Sequence, residues 1–161
     1  MTPRTHAQVG ASNRRRGKDT ERKVATYLEA HGLGDGRRNL AGYARDHGDI
    51  GPVTDRDGDL WAVEVKGWQD PTPGKVEAAA REAAREAEHA AVPLWVLVVR
   101  RPGCADVGRW WAWVTSHTAA VLHATDDARL AGTYAAHPDD LVCLTLRAWV
   151  ALVAPDQEAT P

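Results

Sequence analysis

Phenylalanine is absent from this chain, methionine occurs once, and cysteine occurs only at Cys104 and Cys143. Two cysteines so placed fit neither a metal-ligand spacing nor a disulfide framework, so they read as small apolar fillers in a reducing cytosol, and no catalytic cysteine is expected. His31, His89, His117, His123 and His137 form no zinc-finger or zincin pattern, which argues against a zinc site. Long apolar runs are also missing. Nothing approaches the length that spans a bilayer, and the polar, arginine-bearing stretch Met1 to Gly17 lacks the apolar centre of a leader peptide. The expectation is a soluble cytoplasmic protein without a membrane partner.

Strong net charge is absent too, at −2 for 161 residues, which disfavours a simple electrostatic nucleic-acid binder. The distribution is more telling than the sum. Residues 1–23 carry seven Arg or Lys (Arg4, Arg14, Arg15, Arg16, Lys18, Arg22 and Lys23) against Asp19 and Glu21, a balance of +5 that leaves −7 for the remainder. A basic arm on an acidic body suits phosphate contact at one place; a solvated tail is the plainer alternative.

The length fits one domain, set at residues 16–154, between a disordered basic arm (1–15) and a flexible tail (155–161). A first helix is expected to run to about His31 and to stop at Gly32 and Gly34. Glu21 lies four residues before Ala25 and seven before Leu28, on the apolar stripe near the expected helix start. It therefore lines a site or serves as a first-turn or capping acid.

Short strands follow at about Arg37–Ala41, Asp49–Thr54 and Leu60–Lys66, the last two joined by a turn at Asp55-Arg56-Asp57-Gly58-Asp59. The alternate aspartates of that turn resemble a calcium loop but lack its liganding Glu, so a hairpin is expected. Pro71-Thr72-Pro73-Gly74 opens a helix to about Ala91 with Val76, Ala79, Ala80, Ala83, Ala87 and Ala90 on one face. Leu94–Val99 is a continuous apolar run, expected as a central strand buried on both faces. Further strands are expected at Arg109–Val114 and Leu141–Leu144, with a short helix after Ser116, a loop through Pro138 and a last helix after Thr145 carrying Leu146, Trp149, Val150 and Val153 inward.

Chemistry concentrates between Gly48-Asp49-Ile50 and Val63-Glu64-Val65-Lys66. In a strand, Glu64 and Lys66 project from one face and Val63 and Val65 from the other. If Asp49 reaches the same cleft, two carboxylates and a lysine converge, a site suited to a hard divalent cation.

The ordered set Arg16-Gly17-Lys18, Glu21-Arg22, Arg37-Arg38, Gly48-Asp49-Ile50 and Val63-Glu64-Val65-Lys66 resembles the motifs of the PD-(D/E)xK nuclease superfamily, in particular the archaeal-type Holliday junction resolvases and the small resolvase-like nucleases of actinobacterial phages. The likeness covers roughly residues 16–114. It implies an α/β, restriction-endonuclease-like core with a mixed central sheet flanked by helices. It also implies a Mg²⁺- or Mn²⁺-dependent endonuclease leaving 5′-phosphate and 3′-hydroxyl ends, with no small-molecule cofactor. By the same resemblance Asp49, Glu64 and the backbone carbonyl of Val65 hold the metal, Glu21 approaches it directly or through water, and Lys66 orients the attacking water. Arg14, Arg15, Arg16, Lys18, Arg22, Arg37, Arg38, His47 and Trp68 become candidate DNA contacts. His47 is otherwise a plain loop residue, and alternation leaves only one of Arg37 and Arg38 facing the cleft. Trp68 either packs or stacks on an unpaired base.

A resolvase acts as a two-fold homodimer on a four-way junction. The alanine-rich helix and the Trp110-Trp111 strand are candidate dimer contacts, and most of the seven tryptophans are expected in the core or at that contact. Two features of the archaeal pattern are missing: the helix from Pro73 to Ala91 has no Gln, and the loop 40–47 has no Ser. Linear, flapped or nicked DNA is therefore the alternative substrate. A silent DNA-binding accessory protein is the non-enzymatic alternative, which the intact Asp49, Glu64 and Lys66 argue against.

Overall fold

A computed structural model describes residues 6–38, 48–123 and 140–155, with first-helix side chains from Arg15 onward. The expected loop 40–47 with His47, the side chain of Arg14, the loop through Pro138 and residues 156–161 lie outside the described residues.

Helix α1 spans His6–Glu29, so its start is earlier than expected and residues 6–15 are helical rather than disordered. No proline interrupts residues 6–29, and each residue added to an established helix gains a hydrogen bond without a second nucleation cost. This start places Glu21 well inside the helix, which removes its first-turn and capping reading. Val24, Ala25 and Leu28 are fully buried along one stripe. The end is as expected: Gly32 has a φ of 75°, and the Leu33 N–H reaches back to the Leu28 carbonyl at 2.9 Å, closing a Schellman-type cap.

Strands β1 (Ile50–Thr54) and β2 (Leu60–Lys66) form an antiparallel hairpin. Helix α2 (Pro73–His89) then crosses over to β3 (Leu94–Val99), which lies parallel to β2. Strands β4 (Trp111–Thr115) and β5 (Leu141–Thr145) add antiparallel neighbours, with α3 (Ser116–His123) after β4 and α4 (Leu146–Val153) after β5. The result is an α/β protein with a five-stranded mixed sheet in the order β1-β2-β3-β4-β5, flanked by helices. Continuous burial from Trp95 to Val99 fits the central place of β3.

Three differences from expectation concern the margins. Of the expected strand at residues 37–41, the described part contributes a single bridge, Arg38 to Ile50. A one-turn helix at Val107–Arg109 precedes β4, because the Asp106 carboxylate accepts from the Gly108 N–H at 3.0 Å and turns the chain before Trp111. Trp110 is consequently in the core, 1% exposed, with its indole N–H donating to the Cys104 carbonyl at 3.0 Å, and its side chain is no dimer contact.

The two faces of the sheet have different fillings. Beneath α1 and α4 lie large side chains, including a perpendicular Trp61–Trp149 pair at 5.2 Å. Beneath α2 lie Ala62, Leu97 and Val99 against Val76, Ala79, Ala80, Ala83 and Ala87. Those alanines bring α2 close to the sheet and are consumed by that packing, so the buried face of α2 is not available to a second subunit.

Candidate active site

The site forms where the C-terminal half of β2, the start of β1, α1 and α2 meet. Two glycines allow the close approach. At Gly67, a Cβ would stand 2.6 Å from Thr20 Oγ1, so glycine lets α1 press against the end of β2. Gly48 has a φ of 90°, and a Cβ there would lie 2.6 Å from the Val63 carbonyl oxygen.

With Gly48 against Val63, the Asp49 N–H donates to the Val63 carbonyl at 2.9 Å. The Asp49 carboxylate then accepts from the Val65 N–H at 2.8 Å, taking a place that a strand partner would otherwise fill. In a strand the N–H and C=O of one residue face the same edge and those of the next residue the other: the Lys66 carbonyl accepts from the Arg100 N–H on the β3 side, whereas the Val65 N–H faces Asp49. The Val65 carbonyl therefore shares an edge with the Asp49 carboxylate, as a third oxygen donor requires.

Glu64 and Lys66 project together toward α2, as alternation predicts. Lys66 Nζ lies 2.6 Å from Glu64 Oε1 and 3.3 Å from Glu82 Oε2. Glu64 is buried, and Glu21 on α1 is held by Arg38 at 2.5 Å with its side chain 17% exposed. Arg38 is thus the inward member of its pair, engaged with Glu21. Arg37 points outward, 83% exposed, beside Asp35.

The electrostatics are those of a crowded acidic pocket. Burial is the main reason the Asp49 carboxyl rises to about 6; Glu21 and Glu86 add repulsion, while the Val65 N–H and Lys66 pull it back. Burial likewise drives Glu64 up to about 8, with Asp49 the next cause and Lys66 opposing. Burial alone would lower the Lys66 ammonium, but Glu64 and then Glu82 outweigh it and hold it above its usual value. Asp49 and Glu64 therefore act as one acid pair that resists losing its last proton until further positive charge arrives.

Among the described residues, no three His, Cys, Asp or Glu side chains are gathered as a complete metal cage. The donor set is instead two carboxylates and a main-chain carbonyl, with Glu21 nearby but engaged by Arg38. That set fits a hard cation that keeps several waters, and mutual repulsion of the two acids is what such a cation relieves.

The other expected contacts divide. Arg16 and Trp68 line a cleft of about 530 Å³ beside Val65, Lys66 and Gly67. Arg15 and Lys18 are exposed on α1, and Arg22 is exposed and paired with Asp19 at 3.3 Å. Sequence reasoning passed over Glu82 and Glu86, although both lie on α2 at helical spacing from the buried Ala79, Ala83 and Ala87. It also passed over Lys75 and Arg85, which line the neighbouring groove. The signal available was that α2 follows β2 directly and must pack across the Glu64 face. Among the described residues no helix is long and apolar enough to cross a membrane. No protein-family model matches this chain, and no curated protein or solved structure matches it.

Proposed function

We propose that this chain is a metal-dependent DNA endonuclease with a PD-(D/E)xK-type, restriction-endonuclease-like core, acting on branched DNA, with a four-way junction as its first substrate. The observation that carries the reading is the joint placement of Asp49 and Glu64. One is locked to the Val65 N–H and the other paired with Lys66, Asp49 is half-buried and Glu64 buried, and their carboxyls are raised to about 6 and about 8. The order helix, hairpin, crossover helix and parallel strand supports the same core, and the seating of Asp49 against the edge of β2 supports a shared ligand edge.

In this reading Asp49, Glu64 and the Val65 carbonyl hold Mg²⁺ or Mn²⁺. Bound there, the cation supplies an activated water and polarises the phosphodiester. Lys66 offers its ammonium to the charge that develops on the phosphate in the transition state, and Glu82 keeps that ammonium aimed when Glu64 is occupied elsewhere. Arg38 fixes Glu21 at the margin, so that its carboxylate orients water without entering the pocket as a further bare charge.

Cleavage of a four-way junction, a flap and a perfect duplex at equal concentration with Mg²⁺ tests the proposal. Symmetric nicks on the junction are expected, and these require a homodimer in solution. Equal cutting of all three forms removes the junction assignment, and no metal-dependent cutting of any form removes the nuclease assignment.

A further inference from the structure

The groove next to Lys66 has a character of its own. One cleft of about 530 Å³ runs between Arg16 on α1 and Lys75 at the start of α2, and a second of about 400 Å³ continues along α2 past Ala78 and Ala79 to Arg85. Lys66, Trp68 and Lys75 line both, which makes them one continuous channel leading away from the acid pair. Its charge is unbalanced. Among the described residues, Lys75 donates to the Asp70 main-chain carbonyl at 2.7 Å and Arg85 to the Arg81 carbonyl at 3.3 Å. Among the described residues, Arg16, Lys75 and Arg85 have no carboxylate partner. The acids lining the channel are Asp70 and Glu82, and Glu82 is already spent on Lys66.

Trp68 lies between these cations, half-buried and packed against the alanine face of α2, so its ring is anchored rather than free to turn. An anchored indole flanked by unpartnered cations is the arrangement that holds a single nucleic-acid strand, base on ring and phosphates on charges. Duplex DNA cannot use it, because its bases present their faces to one another and not to a protein ring.

We propose that this channel receives an unpaired DNA strand leaving the reaction centre, with one base stacked on Trp68 and the adjoining phosphates on Arg16, Lys75 and Arg85. The nuclease reading gives the channel its meaning, since it puts the scissile phosphate at one end and favours flapped or opened junction arms over intact duplex. Strand binding itself does not depend on turnover.

Fluorescence anisotropy in EDTA, with a labelled oligothymidylate, a flap and a blunt duplex, tests this on the full chain. Trp68→Ala is expected to weaken single-strand and flap binding about tenfold, the scale of one stacked base, while changing duplex binding less than about twofold. Trp68→Tyr is expected to restore most of it. Because both residues are exposed, the double substitution Lys75→Ala with Arg85→Ala should fold normally, and it is expected to lower the single-strand salt slope by about 0.7 for each cation removed. Equal loss on duplex and single strand in Trp68→Ala, or an unchanged salt slope in the double variant, overturns the channel. Wild-type protein that binds the strand through Trp68 but never cuts DNA with Mg²⁺ refutes the nuclease reading alone; wild-type protein that cuts, with Trp68→Ala binding as well as wild type, refutes the channel alone.

Discussion

Strand β1 is flanked by two aspartates of opposite kinds, a half-buried one before it and a buried one after it. Asp55, at the hairpin end, is fully answered: its carboxylate accepts from the Asp57 and Asp59 N–H groups at 3.0 and 2.9 Å and from the Trp61 indole N–H at 2.9 Å. Asp49, at the other end, accepts from the Val65 N–H and otherwise feels the charges of Glu21, Glu86 and Glu64, with Lys66 only partly offsetting them. Burial of a carboxylate is therefore not what marks a working site. The mark we propose is loss of solvent with too few donors among the described residues, since the shortfall is what a cation or a proton supplies.

Substitution should separate the two residues by readout. Asp49→Asn is expected to reduce DNA cleavage by about 100-fold or more while leaving thermal stability equal or raised, because it removes a repelled charge. Asp55→Ala is expected to do the reverse, costing about 3 kcal/mol by stranding the Trp61 indole and two turn N–H groups, a fall of roughly 6–12 °C in melting temperature. Cleavage per folded molecule should be retained. Parallel melting and cleavage curves for the two variants decide it, and matching profiles would erase the distinction.

Gly48→Ala probes the support of Asp49 rather than its charge. The substitution strains a positive φ and drives a Cβ onto the Val63 backbone, so a loss of about 1–3 kcal/mol is expected together with lower cleavage. Gly58→Ala, at the Asp55 end with a φ of 88° but open space around it, should share the strain and spare the activity.

A smaller effect is expected from pH. The folded-state carboxyls of Asp49 and Glu64 lie above their ordinary values of 3.8 and 4.5, at about 6 and about 8. Between those limits the folded chain binds more protons than the unfolded one, so stability contributed by this pair is present at low pH and is lost as pH rises through the folded values. Without divalent cations the melting temperature should decline from about pH 5 to pH 9, and Mg²⁺ should flatten the decline in wild type but not in Asp49→Asn. A decline of equal depth with Mg²⁺ present would place the pair outside any cation site. The smallest effect belongs to Arg37→Ala, within about 0.5 kcal/mol, because the Arg37 side chain is largely exposed.

Much of this arrangement is readable in the residues. Period-two alternation in Val63-Glu64-Val65-Lys66 and the continuous apolar run of β3 predict the same-face acid and lysine and the central strand, and both are found. The Asp55–Asp59 hairpin follows from its turn chemistry, with Gly58 at positive φ. What sequence patterns miss are features set by long-range packing. Nothing local says that the alanines of α2 are used up against β3, that Trp110 turns inward behind an Asp106-capped turn, or that Arg38 reaches Glu21 across 17 residues of chain. The early start of α1 leaves no apolar period in the sequence, because its first turns are rich in arginines and polar residues that nonetheless propagate a helix.

The central claim is that Asp49 and Glu64 form a cation site that replaces a retained proton. Titration calorimetry with Mg²⁺ or Mn²⁺ at pH 7, repeated in buffers of different ionisation enthalpy, tests it most directly. The account predicts a binding event that releases up to about one proton per cation and that disappears in Asp49→Asn and Glu64→Gln. Binding without proton release that survives both substitutions, or no binding at all, would contradict it.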